Sequence, residues 1–140
     1  MASNAFSGVG TKFQRGDGAS NESFSDIAEI NSITGPNLSR DTIDVTSLDS
    51  TGGYREFIAG FRDGGELTLS MNFAPSGYFD LKDDFEVEVT HNYRIVMGNA
   101  AQTTFDITGL ITALGVAIPL DDKVTCDVTI KITGEVTLTT

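Results

Sequence analysis

The stretch 66–73 reads Glu66-Leu67-Thr68-Leu69-Ser70-Met71-Asn72-Phe73, and it decides the fold class because polar and apolar residues alternate along its whole length. Side chains two residues apart in an extended chain point to the same side, so the pattern predicts a strand with one apolar face. The same alternation returns near the end of the chain, in Val124-Thr125-Cys126-Asp127-Val128-Thr129-Ile130-Lys131-Ile132-Thr133. Such strands are typical of an antiparallel sheet that covers a core with its apolar face.

Weaker patterns predict the remaining elements of a mainly β chain that is rich in Thr, Ser, Gly and Val. Further strands are expected at 9–14, in the second half of 22–33, at 87–97 and at 103–110, with a loop at 113–119. One helix is predicted at about 78–85, preceded by Ser76 as its cap. Its basis is a set of residues at helical spacing, Tyr78, Leu81, Lys82 and Phe85.

Length and charge restrict the class of protein. The 140 residues predict a single domain, 1–140. Nine Lys and Arg against 20 Asp and Glu give a formal net charge of −11, which argues against a nucleic-acid-gripping surface because phosphate binding needs clustered cations. Residues 1–6 lack the features of a secretion signal, and no apolar run is long enough for a bilayer. We therefore expect a soluble protein, made in the cytoplasm, with no membrane contact.

Two segments do not fit the strand pattern. Residues 1–8 are small and polar and are expected to form a mobile N-terminal arm. Residues 37–64 combine many charges and glycines with short apolar patches, and we interpret them as a long, weakly structured loop. A loop of this length is uncommon in a compact domain unless it is functional, and its apolar residues need burial. A neighbouring subunit would supply that burial and would order the loop on assembly.

Catalytic and metal-binding chemistry has little support in the sequence. His91 is the only histidine and lies on the apolar face of a predicted strand, so a structural role is favoured over catalysis. Cys126 is the only cysteine, and its alternation with valines predicts a buried, unreactive thiol. The acidic pairs Asp83-Asp84 and Asp121-Asp122 are expected to be solvated or capping groups. No cofactor, no metal and no enzymatic activity are predicted.

Two longer stretches carry a resemblance. The first reads Ile33-Thr34-Gly35-Pro36-Asn37-Leu38-Ser39-Arg40-Asp41-Thr42-Ile43-Asp44-Val45-Thr46, and continues with Gly52-Gly53-Tyr54-Arg55-Glu56-Phe57-Ile58-Ala59-Gly60 and Arg62-Asp63-Gly64-Gly65-Glu66. The second reads Asp121-Asp122-Lys123-Val124-Thr125-Cys126-Asp127-Val128-Thr129-Ile130-Lys131-Ile132-Thr133-Gly134. Together with the helix and strand predicted within 81–96, they resemble the tail tube, or major tail, proteins of siphophages.

The resemblance implies a β-sandwich or barrel-like fold with one flanking α-helix and a long inter-strand loop. It implies a virion structural protein that self-assembles into stacked hexameric rings, a conduit for DNA ejection. The N-terminal arm and the long loop would make contacts within and between rings. Expected partners are further copies of the chain, a tape measure protein, a tail tip or initiator and a tail terminator. DNA would pass through the lumen without specific binding.

The candidate inter-subunit contacts all lie in the long loop. They are Arg40, Asp41, Asp44, Tyr54, Arg55, Glu56, Phe57, Arg62 and Asp63. The charged members could simply face solvent, or they could form ion pairs between subunits that set the register, since charge gives specificity more than affinity. Two other functions stay open: a tail terminator or head–tail joining ring of the same fold, and a small enzyme, for which the sequence offers no catalytic constellation.

Overall fold

The computed structural model describes residues 5–27 and 29–140, which form ten strands, one α-helix and one short 3-10 helix. The strands are β1 (Lys12–Gly16), β2 (Phe24–Ile27), β3 (Ile30–Thr34), β4 (Ser39–Asp44), β5 (Phe57–Asp63), β6 (Glu66–Asn72), β7 (His91–Val96), β8 (Thr104–Ala117), β9 (Thr125–Ile132) and β10 (Thr137–Thr139). The α-helix α1 spans Pro75–Glu86, and the 3-10 helix spans Thr51–Gly53.

Eight strands form one antiparallel sheet in the order β2-β1-β7-β8-β9-β6-β3, with β10 paired to β8. The two end strands, β2 and β3, follow each other in the sequence with two residues between them. The chain therefore passes directly from one edge of the sheet to the other, and the sheet curls toward a barrel. The mainly β fold class with one helix, predicted from the sequence, is confirmed.

The two strongly alternating stretches pair with each other in the middle of this sheet. In the ladder between β6 and β9, Leu69 lies opposite Val128 and Met71 lies opposite Cys126, and all four side chains are fully buried. The core that surrounds them is apolar throughout. Its members are Phe13, Ile27, Leu67, Leu69, Met71, Leu81, Tyr93, Ile95, Ile107, Ile111, Cys126, Val128, Ile130 and Ile132.

Helix α1 is fixed to the sheet by a buried polar cluster, which corrects the expectation that Asp84 is solvated. Only 3% of Asp84 is exposed. Arg15 donates two hydrogen bonds to its carboxylate, at 2.8 and 2.7 Å, and the Tyr93 hydroxyl donates a third at 2.9 Å. His91 Nδ1 lies 3.5 Å from the same carboxylate, so the histidine belongs to the same cluster. These bonds compensate for desolvating the charge, because buried charges need partners.

Several boundaries differ from those predicted. The helix begins at Pro75 after Ala74, so Ser76 is not its cap; the fixed φ of proline suits the first helical turn. Strand β8 continues to Ala117 where a loop was predicted at 113–119, because β9 offers backbone partners along its whole length. Strand β7 begins only at His91, so 87–90 lies outside it. The segment 22–33 contains two strands instead of one.

The prediction that 37–64 is a weakly structured loop is wrong, because the segment contains two strands. Strands β4 and β5 pair with each other in a separate two-stranded antiparallel sheet, which makes this segment a β-hairpin. The two strands could not be predicted from the sequence, because a hairpin without a core-facing side does not alternate polar and apolar residues. Of the predicted arm 1–8, residues 1–4 lie outside the described part, and 5–8 contain no helix or strand.

Candidate assembly surface

The hairpin β4–β5 presents apolar side chains that the rest of the chain does not cover. Every residue of β4 is exposed, and so is every residue of β5 except the half-buried Gly60. Ile43 lies opposite Ile58 on one face, while Phe57 lies opposite Asp44 on the other. Phe61 is 90% exposed. Because apolar groups lie on both faces, covering a single side of the hairpin would not remove them from water.

The tip of the hairpin is held by polar contacts within the chain. Arg55 Nη1 lies 3.1 Å from Asp44 Oδ2, which makes the pair an ion pair inside one hairpin. The Ser50 hydroxyl donates to Glu56 at 2.7 Å, and the Glu56 amide donates to the Thr46 hydroxyl at 2.8 Å. The hydrogen bonds from Thr46, with a smaller effect of Arg55, lower the pKa of Asp44 below its ordinary value of 3.8. The tip is therefore a defined structure that presents Tyr54 to solvent at 77% exposure.

The base of the hairpin depends on two glycines. Gly35 has φ +110° and Gly65 has φ +75°, in the left-handed region that L side chains rarely adopt. A Cβ at Gly65 would lie 2.3 Å from the carbonyl oxygen of Asn37, and one at Gly35 would lie 2.5 Å from that of Glu66. Because glycine has no Cβ, the backbone can approach these carbonyl oxygens closely, and the two strands leave the barrel side by side.

Asp63 connects the base of the hairpin to the barrel. Its carboxylate accepts a hydrogen bond from the Gly65 amide at 2.8 Å and lies 3.4 Å from Lys131 Nζ on β9. The hydrogen bond from the Gly65 amide has the larger effect and the Lys131 ammonium group the smaller, and both lower the pKa of Asp63 below its ordinary value of 3.8. Both contacts favour the charged carboxylate.

Two arginines near the base have no anionic partner among the described residues. Arg40 on β4 lies directly opposite Arg62 on β5. Neither makes an ion pair or a side-chain hydrogen bond with any residue in the described ranges 5–27 and 29–140. Like charges directly opposite each other in a sheet are destabilising. The pair is unusual in a chain with a net charge of −11 and marks a place where carboxylates from outside would be stabilising.

The structure brings the predicted contact residues together on this single hairpin, but it gives them different local roles. The pairing of Asp44 with Arg55, and of Asp63 with Lys131, is within the chain, which leaves Arg40 and Arg62 as the two cations of the predicted set that have no anionic partner in the described part of the chain. The apolar residues Tyr54 and Phe57 are exposed. Further exposed apolar residues of the same segment were not among the predicted contacts. They are Leu38, Ile43, Val45, Leu48, Ile58 and Phe61.

Among residues 5–27 and 29–140 there is no group of three His, Cys, Asp or Glu side chains that could hold a metal ion. Cys126 is fully buried, and burial raises the pKa of its thiol, which disfavours the nucleophilic thiolate. No described helix combines the length and the apolar character needed to cross a membrane.

Solved structures with a similar fold include chains from assembled tails and from contractile injection systems. The chain is similar to a protein from the tail of an empty gene transfer agent particle with C6 symmetry: TM-score 0.80, 19% identity, with 97% of this chain and 100% of that one covered. It is similar to a chain in the sheath/tube terminator structure of an extracellular contractile injection system, with TM-score 0.74, 17% identity and full coverage of both. The SPP1 tail tube gives TM-score 0.66 and 10% identity over 91% of this chain and 75% of that one.

The curated proteins contain no significant match to the chain. The model of the lambda phage tail tube protein family matches residues 5–139, nearly the whole length. The family and the fold are those of a structural phage tail tube protein and not of an enzyme. The chain belongs to the lambda phage tail tube protein family, and it is a structural subunit of a virion tail tube.

Proposed function

We propose that this subunit assembles into hexameric rings that stack into the tube, and that the hairpin β4–β5 makes the contacts between copies. The observation that carries the proposal is the set of exposed apolar side chains on both faces of the hairpin. An isolated two-stranded hairpin is at best marginally stable in water. Packing between neighbouring copies would cover both faces at once and would stabilise the hairpin in the process.

A single copy is expected to fold before it assembles, because the buried core lies within one chain. The barrel has its own buried core, so a single copy can fold alone. The hairpin contributes little to that core and gains its apolar burial only in the polymer. A head-to-tail contact with a closing rotation gives rings, and repetition along the axis gives a tube. The candidate residues Arg40, Asp41, Asp44, Tyr54, Arg55, Glu56, Phe57, Arg62 and Asp63 would lie in or beside these contacts.

The charge of the chain suits a conduit. A net charge of −11 per copy would repel phosphates wherever it faces the lumen, so DNA would pass without specific binding. In this function the tube would contact a tape measure protein inside, a tail tip or initiator at one end and a tail terminator at the other. The protein would be made in the bacterial cytoplasm before it is incorporated into the virion.

Electron microscopy of the purified protein tests this function. Wild-type protein concentrated in the presence of tail initiator is expected to form long hollow tubes with six subunits per ring. A variant in which 38–63 is replaced by a short glycine-serine turn should remain a folded monomer by circular dichroism and form no tubes. Isolated rings that never lengthen would instead favour a terminator or joining ring, and tubes formed equally well without the hairpin would refute its role.

A further inference from the structure

The segment Phe85–Val89 runs from the last two residues of α1 into the chain that follows, and it pairs with no strand of the described residues. It reads Phe-Glu-Val-Glu-Val, which alternates apolar and acidic residues. The whole segment is exposed, with Phe85 at 47%, Val87 at 46% and Val89 at 59%. Val87 is extended, with φ −97° and ψ 152°, yet the first strand after the helix begins only at His91. A pattern that predicts a half-buried strand is therefore left uncovered in a single copy.

The base of the hairpin forms a groove of complementary character. Its volume is about 840 Å³, and it lies between the two hairpin strands and the turn that follows β9. Leu38, Phe61 and Val136 line it with apolar surface, of which Leu38 is 69% and Phe61 is 90% exposed. The unpaired Arg40 and Arg62 lie on the same wall.

The charges of groove and segment are opposite. The groove also contains Asp63 and Glu135, but Asp63 is already paired with Lys131. Arg40 and Arg62 thus give the groove a net positive charge. In the segment, Glu86 pairs with Lys82 on the solvent side of the helix, while Glu88 has no partner among the described residues. The carboxylate of Glu88 lies among the apolar side chains of the segment, as the two guanidinium groups lie beside the apolar side chains of the groove.

The two surfaces are separate within one copy. None of the residues that line the groove belongs to 85–89. The ladders place His91 opposite Gly109 and Gly109 opposite Ile132, so segment and groove lie at the same end of the sheet with β8 between their strands. Two different surfaces on one chain give a heterologous contact, which propagates from copy to copy and can close into a ring.

We infer that the acidic-apolar segment 85–89 of one copy docks in the basic-apolar groove at the hairpin base of a second copy. The inference rests on the proposed assembly into a tube and names one contact within it. Apolar side chains would supply most of the affinity, and Glu88 beside Arg40 and Arg62 would fix the register and relieve the repulsion between the arginines. The expected occupant is a second copy of this chain.

Charge exchange tests the contact. Glu88→Arg and Arg62→Glu, made separately, are each expected to raise the critical concentration for tube formation at least about tenfold, because like charges then face each other. The double variant restores opposite charges and is expected to return to within about threefold of wild type. Asp121→Arg is the matched control, since it makes the same charge change at an exposed residue that belongs neither to the segment 85–89 nor to the lining of the groove, and it should leave assembly unchanged.

Cross-linking identifies the occupant directly. Proteins carrying Val87→Cys and Leu38→Cys are mixed, assembled and oxidised; a disulfide-linked dimer that requires both proteins supports the docking. Cys126 is fully buried and does not compete. A dimer between Leu38→Cys and Phe6→Cys instead would place the N-terminal arm in the groove and overturn the inference. Tubes without rescue by the double variant and without the Val87 cross-link overturn the docking alone, whereas the absence of any polymer overturns the proposed function as well.

Discussion

Replacing Phe61 by alanine separates folding from assembly. Phe61 is 90% exposed in a single copy, so its loss should change the free energy of unfolding by no more than about 0.5 kcal/mol. Burying a phenylalanine side chain is worth about 1.5–3 kcal/mol. If a neighbouring copy covers Phe61, each contact loses that amount, and the critical concentration for polymerisation rises about tenfold to hundredfold.

Phe13→Ala provides the control with the opposite outcome. Phe13 is fully buried and stacks on Tyr93 with ring centroids 5.5 Å apart, so truncation should destabilise the monomer by about 3–5 kcal/mol. Urea unfolding followed by circular dichroism measures the first quantity, and sedimentation over a concentration series measures the second. An unchanged critical concentration for Phe61→Ala, or a loss of monomer stability comparable to that of Phe13→Ala, would refute the reasoning.

Three further predictions concern the fold and the hairpin base. Asp84→Ala should lower the free energy of unfolding by about 3–5 kcal/mol because it leaves the Arg15 guanidinium unpaired, whereas the exposed Asp83→Ala should change it by less than about 0.5; equal effects in urea titrations would contradict this. Gly65→Ala should cost about 1–3 kcal/mol and impair tube formation, since the backbone is left-handed and a Cβ meets Asn37; normal tubes by electron microscopy would argue against it. Because the pKa of Asp63 is lowered on folding, its stabilising effect is present above pH 3.8 and is lost as the pH falls through its folded value, so acid should lower the protection factor of the Gly65 amide, in which the hydrogen-exchange rate is corrected for its intrinsic pH dependence; in Asp63→Asn that acid-dependent loss of protection should be absent, and its persistence would contradict the assignment.

The barrel could be predicted from the sequence because its strands carry the signal of a one-sided core. In β6 and β9 every second residue is buried, so period-two alternation is visible without any structure. The position of the helix was predicted approximately, but its first residue was not, because the helix begins at Pro75 without a side-chain cap. The end of β8 was missed since Ala113–Ala117 keeps its ladder while its side chains are mostly exposed.

The hairpin and the Asp84 cluster show what a single sequence cannot reveal. Strands β4 and β5 have no buried face in one copy, so their residues carry no alternation that would predict them. Asp84 resembles its exposed neighbour Asp83 in sequence, and only the approach of Arg15 from β1, 69 residues away, makes it a buried partner. Residues 87–89 were predicted as part of a strand, and their exposed apolar side chains would be explained by the proposed docking on a second copy.

The separation of the hairpin from the core has an evolutionary consequence. Substitutions at core positions such as Leu69 and Val128 must be accommodated by other residues of the same molecule. Substitutions at Ile58 or Phe61 must be accommodated by the surface of a different molecule encoded by the same gene, so a compensating change has to arise at another surface of the same chain. We therefore expect the hairpin to accept fewer substitutions than an exposed segment usually does, which agrees with the family resemblance carried by residues 33–66.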